Sequence, residues 1–244
     1  MLRRVMDRPA APGAPLASVV LAWGVHLLTA CGGVAGLVAL LAAGRGDLRT
    51  AALLMLVALA IDAVDGSLAR AARVAERLPS IDGRRLDDIV DYLNYVVVPA
   101  VFLVEAGSLL HWGFAAAPVL ASAYGFAQSD AKSDDHFFVG FPSYWNVLAL
   151  YAWALPIGAG ATTALVIALS IAVFVPLKYL YPSRMNALWW TTNATGAAWL
   201  LLLAILIGAP GALGAFPWLE VSLVYPLYYL GVSFWLGGMH RRTS

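Results

Sequence analysis

Residues Ile61 to Asn94 read IDAVDGSLARAARVAERLPSIDGRRLDDIVDYLN. Seven acidic side chains (Asp62, Asp65, Glu76, Asp82, Asp87, Asp88 and Asp91) and five arginines gather here, in a chain of 244 residues whose charged fraction is only 12%. Apolar runs abut the stretch on both sides, so it reads as the place where two membrane helices leave the bilayer, meet a charged loop and return.

The rest of the composition supports that reading. The chain is 61% hydrophobic with a mean hydropathy of +0.79, whereas soluble domains hold about half apolar residues. A net charge of +1 without a clustered basic face excludes nucleic acid as a partner. The single cysteine, Cys31, excludes an intramolecular disulfide and cannot alone build a zinc site. The start, MLRRVMDRPAAPGAPLASVVLAWGVHLLTAC, imitates a lipoprotein signal peptide. The apolar run continues through Gly32 to Leu41, however, which favours one uncleaved helix.

A hydrocarbon core of about 30 Å needs about 20 apolar residues per helix. Polar breaks then predict eight spans at 22–43, 48–71, 86–106, 110–130, 143–158, 161–181, 187–208 and 217–237, the fifth short and parted from the sixth only by Gly158, Ala159 and Gly160. Strands are not expected in these runs, which lack alternation and exceed about ten residues. Thirteen basic residues (Arg3, Arg4, Arg8, Arg70, Arg73, Arg77, Arg84, Arg85, Lys132, Lys178, Arg184, Arg241 and Arg242) fall on one side of this arrangement, and only Arg45 and Arg49 on the other. Both termini and the 72–85 loop are therefore expected in the cytoplasm. With no repeat, low-complexity tract or long linker, residues 1–244 read as one all-α integral membrane domain, a bundle of about eight transmembrane helices.

Helical geometry organises the charges. At about 100° per residue, Asp62, Asp65, Gly66 and Ala69 share one face, and Gly83, Asp87 and Asp91 stack at four-residue spacing on another helix. An ionised carboxylate costs about 2.5 to 3.5 kcal/mol at a membrane helix centre, less near the interface, and four also repel one another. Divalent cations cancel that charge while keeping the oxygens as ligands, and two cations match four carboxylates. Oxygen donors without His or Cys favour Mg²⁺ or Mn²⁺, and Mg²⁺ commonly completes its shell with substrate phosphate. Arg70, one turn beyond Gly66, suits a phosphate. Gly66 taken alone fits ordinary close packing between membrane helices better.

The pattern Asp65-Gly66-x-x-Ala69-Arg70 followed by Gly83-x-x-x-Asp87-x-x-x-Asp91, with Asp62 upstream, resembles the signature of the CDP-alcohol phosphotransferases. Two departures stand out: twelve residues (71–82) separate Arg70 from Gly83 where most of that family has about eight or nine, and eight spans are expected in place of six. Together with GFPSYWN at Gly140 to Asn146, they resemble the bacterial phosphatidylcholine synthase branch. The resemblance implies transfer of the phosphatidyl group from CDP-diacylglycerol to choline with release of CMP, two Mn²⁺ or Mg²⁺ ions, a multi-pass protein of the bacterial inner membrane, and room for a homodimer. It implies that Asp62, Asp65 and Asp87 hold metal, that Asp91 is both ligand and base, and that Gly66, Ala69, Arg70 and Gly83 line the CDP site.

Choline is a quaternary ammonium, so its site should offer aromatic faces or a carboxylate. The segment Tyr124 to Asn146 has seven aromatics, three Asp and one cation, Lys132; Tyr124, Tyr144 and Trp145 are its cage candidates, although an aromatic belt at the membrane interface accounts for such residues too. Lys178 and Arg184 could meet the lipid phosphate or simply snorkel. His26 and Thr29, a turn apart, fit either support of the site or a helix-to-helix hydrogen bond. His111, His136 and His240 have no metal-ligand spacing, and Asp88 is expected to pair with Arg84 or Arg85. Two other readings stay open: another alcohol such as serine or inositol, and a cation-coupled membrane transporter, whose carboxylates should lie near the midplane on interrupted helices.

Overall fold

The structure of the protein, a computed structural model, describes residues 15 to 185 and 187 to 238. Arg3, Arg4, Arg8, His240, Arg241 and Arg242, used above for orientation and metal spacing, lie outside the described residues. Long apolar helices dominate: α1 (Leu16–Ala43) and α2 (Leu48–Ala71) pack along each other as a hairpin. Both bury small side chains, Ala35, Ala39, Ala42 and Ala43 on α1 and Ala51, Ala52 and Ala58 on α2, and small side chains let membrane helices approach closely where no water drives them together. Gly46 supplies the left-handed turn between them, at φ +77°, and Asp47 caps α2 by accepting from Thr50 N–H at 3.0 Å.

After α2 the chain turns through the short α3 (Val74–Arg77), and Asp82 caps the next helix by accepting from Arg85 N–H at 3.1 Å. That helix is continuous from 83 to 105: α4 (Gly83–Tyr92), a π-helical turn (Leu93–Val97) and α5 (Val98–Glu105). Pro99 stands in the first turn of α5, two residues past the π turn, in keeping with its missing N–H. The wider turn aims Asn94 back at α1, where its amide donates to Gly32 carbonyl oxygen at 3.0 Å, and aims Tyr95 at α2. A Cβ on Gly36 would stand 2.2 Å from Asn94 Oδ1, so only glycine admits this approach.

A 3₁₀ turn (Trp112–Ala115) leads into α6 (Ala116–Ala127), followed by β1 (Phe137–Val139), α7 (Trp145–Ala154), α8 (Ala159–Ala172), β2 (Lys178–Leu180), α9 (Trp189–Gly208), α10 (Trp218–Ser222) and α11 (Val224–Leu236). Every expected span thus has helix within it, with three differences. The fifth is only 10 residues long, and Pro156 rather than the Gly158–Gly160 run ends it. The sixth stops at Ala172 instead of 181, because Pro176 breaks the run. Beyond it the chain forms a strand where none was expected: β2 pairs antiparallel with β1, Phe137 opposite Leu180 and Val139 opposite Lys178.

Among the described residues, two large apolar cores and one small cluster at α1 and α3 result. One joins α1, α2, α5, α7, α8 and α9 around Met55, Phe102, Leu103, Leu150 and Leu203; the other gathers Tyr95, Phe141, Trp145, Tyr179, Leu180 and Tyr229 beneath the β ribbon. Among the described residues, four helical stretches, Leu16–Ala43, Leu48–Ala71, Trp189–Gly208 and Trp218–Leu236, are long and apolar enough to cross a bilayer. Their exposed faces carry residues such as Leu27, Leu201 and Trp235, which only lipid would tolerate in such number. The chain is an all-α multi-pass membrane protein apart from its small ribbon.

Candidate active site

Asp62 and Asp65 stand one turn apart near the end of α2, and Asp87 and Asp91 one turn apart on α4. The bend through α3 returns the second helix beside the first, and carboxylate oxygens of Asp62, Asp87 and Asp91 all come within 4.8 Å of one another. Asp65 is turned toward α1: it is buried, and accepts from Thr29 Oγ1 at 2.7 Å. Of the two readings of Thr29, the helix-to-helix hydrogen bond is the one found, although its partner is itself a candidate ligand.

The oxygen-only donor set, half-buried, fits a hard divalent cation, and the crowding of three like charges asks for one. His26 Nε2, beside the start of α4, is buried with no hydrogen-bond partner among the described residues. A Cβ on Gly83 would meet His26 Cε1 at 3.0 Å, so glycine there lets α4 begin tight against α1. Gly66 leaves space filled only by the Arg70 side chain, whose Nη1 would stand 3.4 Å from a Cβ. Arg70 itself donates to Ser67 Oγ at 3.0 Å and to the Ser183 carbonyl at 3.3 Å, which sets its guanidinium against the turn that carries exposed Arg184. Ala69 packs on the small apolar cluster of Ala22, Val25, Val74 and Leu78.

The aromatic candidates separate. Tyr144 packs against Tyr95 with ring centroids 5.7 Å apart, and against Tyr229 at 5.5 Å. Trp145 is fully buried, its indole N–H donating to Ser122 Oγ at 2.8 Å. Tyr124 lies half-exposed on Phe174, at 4.8 Å. Lys178 Nζ meets Asp135 at 2.6 Å and lies over the Phe137 ring. Asp88 pairs with Lys132 at 3.8 Å rather than with Arg84 or Arg85 as expected, because the 128–139 segment folds over α4 while the two arginines point outward, exposed.

Tyr95 was not singled out by sequence reasoning, yet its hydroxyl donates to Asp62 Oδ2 at 2.5 Å. Its signal was present: Gly83, Asp87, Asp91 and Tyr95 continue one four-residue spacing, which the π turn bends toward α2. Lys132, noted in sequence only as the lone cation of its segment, comes against Asp88, the neighbour of Asp87 on α4.

No family model matches the chain. Curated relatives do. It is 42% identical over 184 residues to a phosphatidylcholine synthase of Legionella pneumophila, covering 74% of this chain and 72% of that one. It is 35% identical over 222 residues to a phosphatidylcholine synthase of Pseudomonas aeruginosa, covering 88% and 91%. A third, from Rhizobium johnstonii, is 38% identical over 172 residues, covering 68% and 70%.

Proposed function

The chain belongs to the phosphatidylcholine synthase family, and from that premise we propose that it transfers the phosphatidyl group of CDP-diacylglycerol to choline, releasing CMP. In this reading it is one eight-span domain of the bacterial inner membrane with both termini cytoplasmic. The observation that carries the chemistry is the approach of Asp62, Asp87 and Asp91 within 4.8 Å from two helices.

Asp62, Asp65, Asp87 and Asp91 would hold two Mn²⁺ or Mg²⁺ ions. When bound, such ions neutralise a pyrophosphate and stabilise the charge on departing CMP. The protein's own groups do the rest. Tyr95 fixes the Asp62 carboxylate through its 2.5 Å hydrogen bond, and Thr29 fixes Asp65. Asp91 takes the choline hydroxyl proton as that oxygen bonds to the lipid-side phosphorus and the bond to CMP breaks, a contribution of about 10² to 10⁴-fold. Gly66, beside which only the Arg70 side chain stands among the described residues, would leave room for the nucleotide, with Ala69 and Gly83, packed toward α1, at its border, and the Arg70 fork would pair with its phosphates. Lys178 and Arg184 lie on the segment that would meet the lipid phosphate. Among the aromatic candidates Tyr144 packs on Tyr95, the donor to Asp62, while Tyr124 and Trp145 are engaged by Phe174 and Ser122.

The test offers purified protein CDP-diacylglycerol with choline, serine, inositol or glycerol 3-phosphate, each with and without Mn²⁺. Metal-dependent CMP release with choline alone is expected. Turnover of a different alcohol, or the same rate after chelation, would overturn the reading.

A further inference from the structure

Lys132 is held in an unusual setting. It sits on a turn closed by Val139 N–H donating to Ala131 O at 3.0 Å and Ser133 N–H donating to Phe137 O at 2.8 Å, and β1–β2 pairing brings Phe138 beside the strand that leads to Tyr181. The Phe138 and Tyr181 rings lie 4.5 Å apart. Lys132 Nζ stands 5.6 Å from the Tyr181 centroid, 6.0 Å from that of Phe138 and 3.8 Å from Asp88 Oδ1. Two rings and a carboxylate around one positive charge are the elements that recognise an ammonium.

A primary ammonium is poorly served by them. It carries three N–H donors, and 3.8 Å is too long for any of them to bond the carboxylate. A quaternary ammonium has no N–H to satisfy and prefers loose contacts with ring faces and a diffuse negative charge. The same spot borders the reacting centre, since Asp88 follows Asp87 directly on α4.

We propose that Phe138, Tyr181 and Asp88 form the seat of the acceptor's trimethylammonium group, and that Lys132 is an internal stand-in which the acceptor displaces. The proposal rests on choline being the acceptor, and it makes the free enzyme self-competing: the tethered lysine must swing into solvent before the alcohol binds.

Purified protein with CDP-diacylglycerol and Mn²⁺ gives the KM for each substrate. Tyr181→Leu is expected to raise the choline KM roughly tenfold while the KM for CDP-diacylglycerol stays within about twofold; Tyr181→Phe, which keeps the ring, should match the wild type. Lys132→Met should lower the choline KM several-fold and strengthen inhibition by tetramethylammonium. Phe138→Leu repeats the ring test should Tyr181→Leu not fold, and calorimetric titration with choline reads the seat without turnover. Choline affinity unchanged in both ring variants, or weakened in Lys132→Met, would overturn the proposal. Wild-type protein that makes no phosphatidylcholine would overturn the choline reading instead.

Discussion

Helix α2 runs between two regions that treat polar groups in opposite ways. Near its start, Arg49 lays its guanidinium on the carbonyl oxygens of Ile207, at 2.8 Å, and Gly208, which end α9. In the same core a directed chain runs from Trp199 Nε1–H to Tyr151 Oη at 2.9 Å, on to Ser222 Oγ at 2.6 Å, and to the Leu219 carbonyl at 2.6 Å. About 20 Å along the helix, at the usual rise of about 1.5 Å per residue, Asp62 faces two further carboxylates, and beside Gly83 the buried His26 Nε2 has no partner among the described residues. Buried polar groups that close on one another serve as glue; carboxylates left crowded carry a cost that a bound cation would lower.

The comparison breaks most visibly at the open end. Asp91→Asn keeps the shape and removes one like charge, so CMP release should fall by about 10² to 10⁴-fold while the thermal midpoint holds or rises. Binding of CDP-diacylglycerol should largely survive. A stability loss as large as that of a core deletion would make the cluster structural glue, and loss of lipid binding would make Asp91 a ligand only.

At the closed end the expected signs reverse. Tyr151→Phe leaves the buried Trp199 N–H without an acceptor and Ser222 Oγ without its donor. An unpaired buried donor costs about 1 to 3 kcal/mol, tempered by the lower averages of about 0.6 kcal/mol seen for hydrogen bonds in membrane proteins. A loss near 1 kcal/mol, or about 2 to 4 °C in midpoint for a chain of this size, should appear in thermal unfolding with turnover intact. Turnover falling in step with Asp91→Asn would erase the distinction.

How legible the two regions were in sequence follows the same division. The carboxylates could be read because their partners lie on two short helical segments whose spacing is local: three residues from Asp62 to Asp65, four from Asp87 to Asp91. The apolar runs gave the helices because length alone distinguishes a span. Features that depend on distant partners were hidden. The π turn at Leu93–Val97 has no local signature and accompanies Asn94 reaching Gly32 on another helix. The β ribbon joins two strands of three residues whose paired positions lie some 40 residues apart, and the second was hidden inside an apolar run. Pro156 and Pro176 were visible in the sequence, but a hydropathy window averages over them, so the fifth and sixth spans were drawn too long. Lys132 gained its role only when the ribbon folded its loop across α4.

The smallest expected effect lies on that ribbon, between the two regimes: an ion pair in solvent. The Lys178 ammonium, and after it the Ser133 hydroxyl, holds the Asp135 carboxyl below its ordinary range through hydrogen bonds. A carboxyl depressed in the folded state contributes stability that is present above the unfolded value of about 4 and is lost as pH falls through the lower folded value. Because the Asp135 side chain is 56% exposed, screening leaves about 0.5 kcal/mol or less. Asp135→Asn should therefore lower the midpoint by about 1 to 2 °C at pH 7, and the gap should close near pH 3 and in high salt. A gap of equal size at both pH values would mean that Asp135 holds the ribbon by shape rather than charge, and would move it into the class of Tyr151.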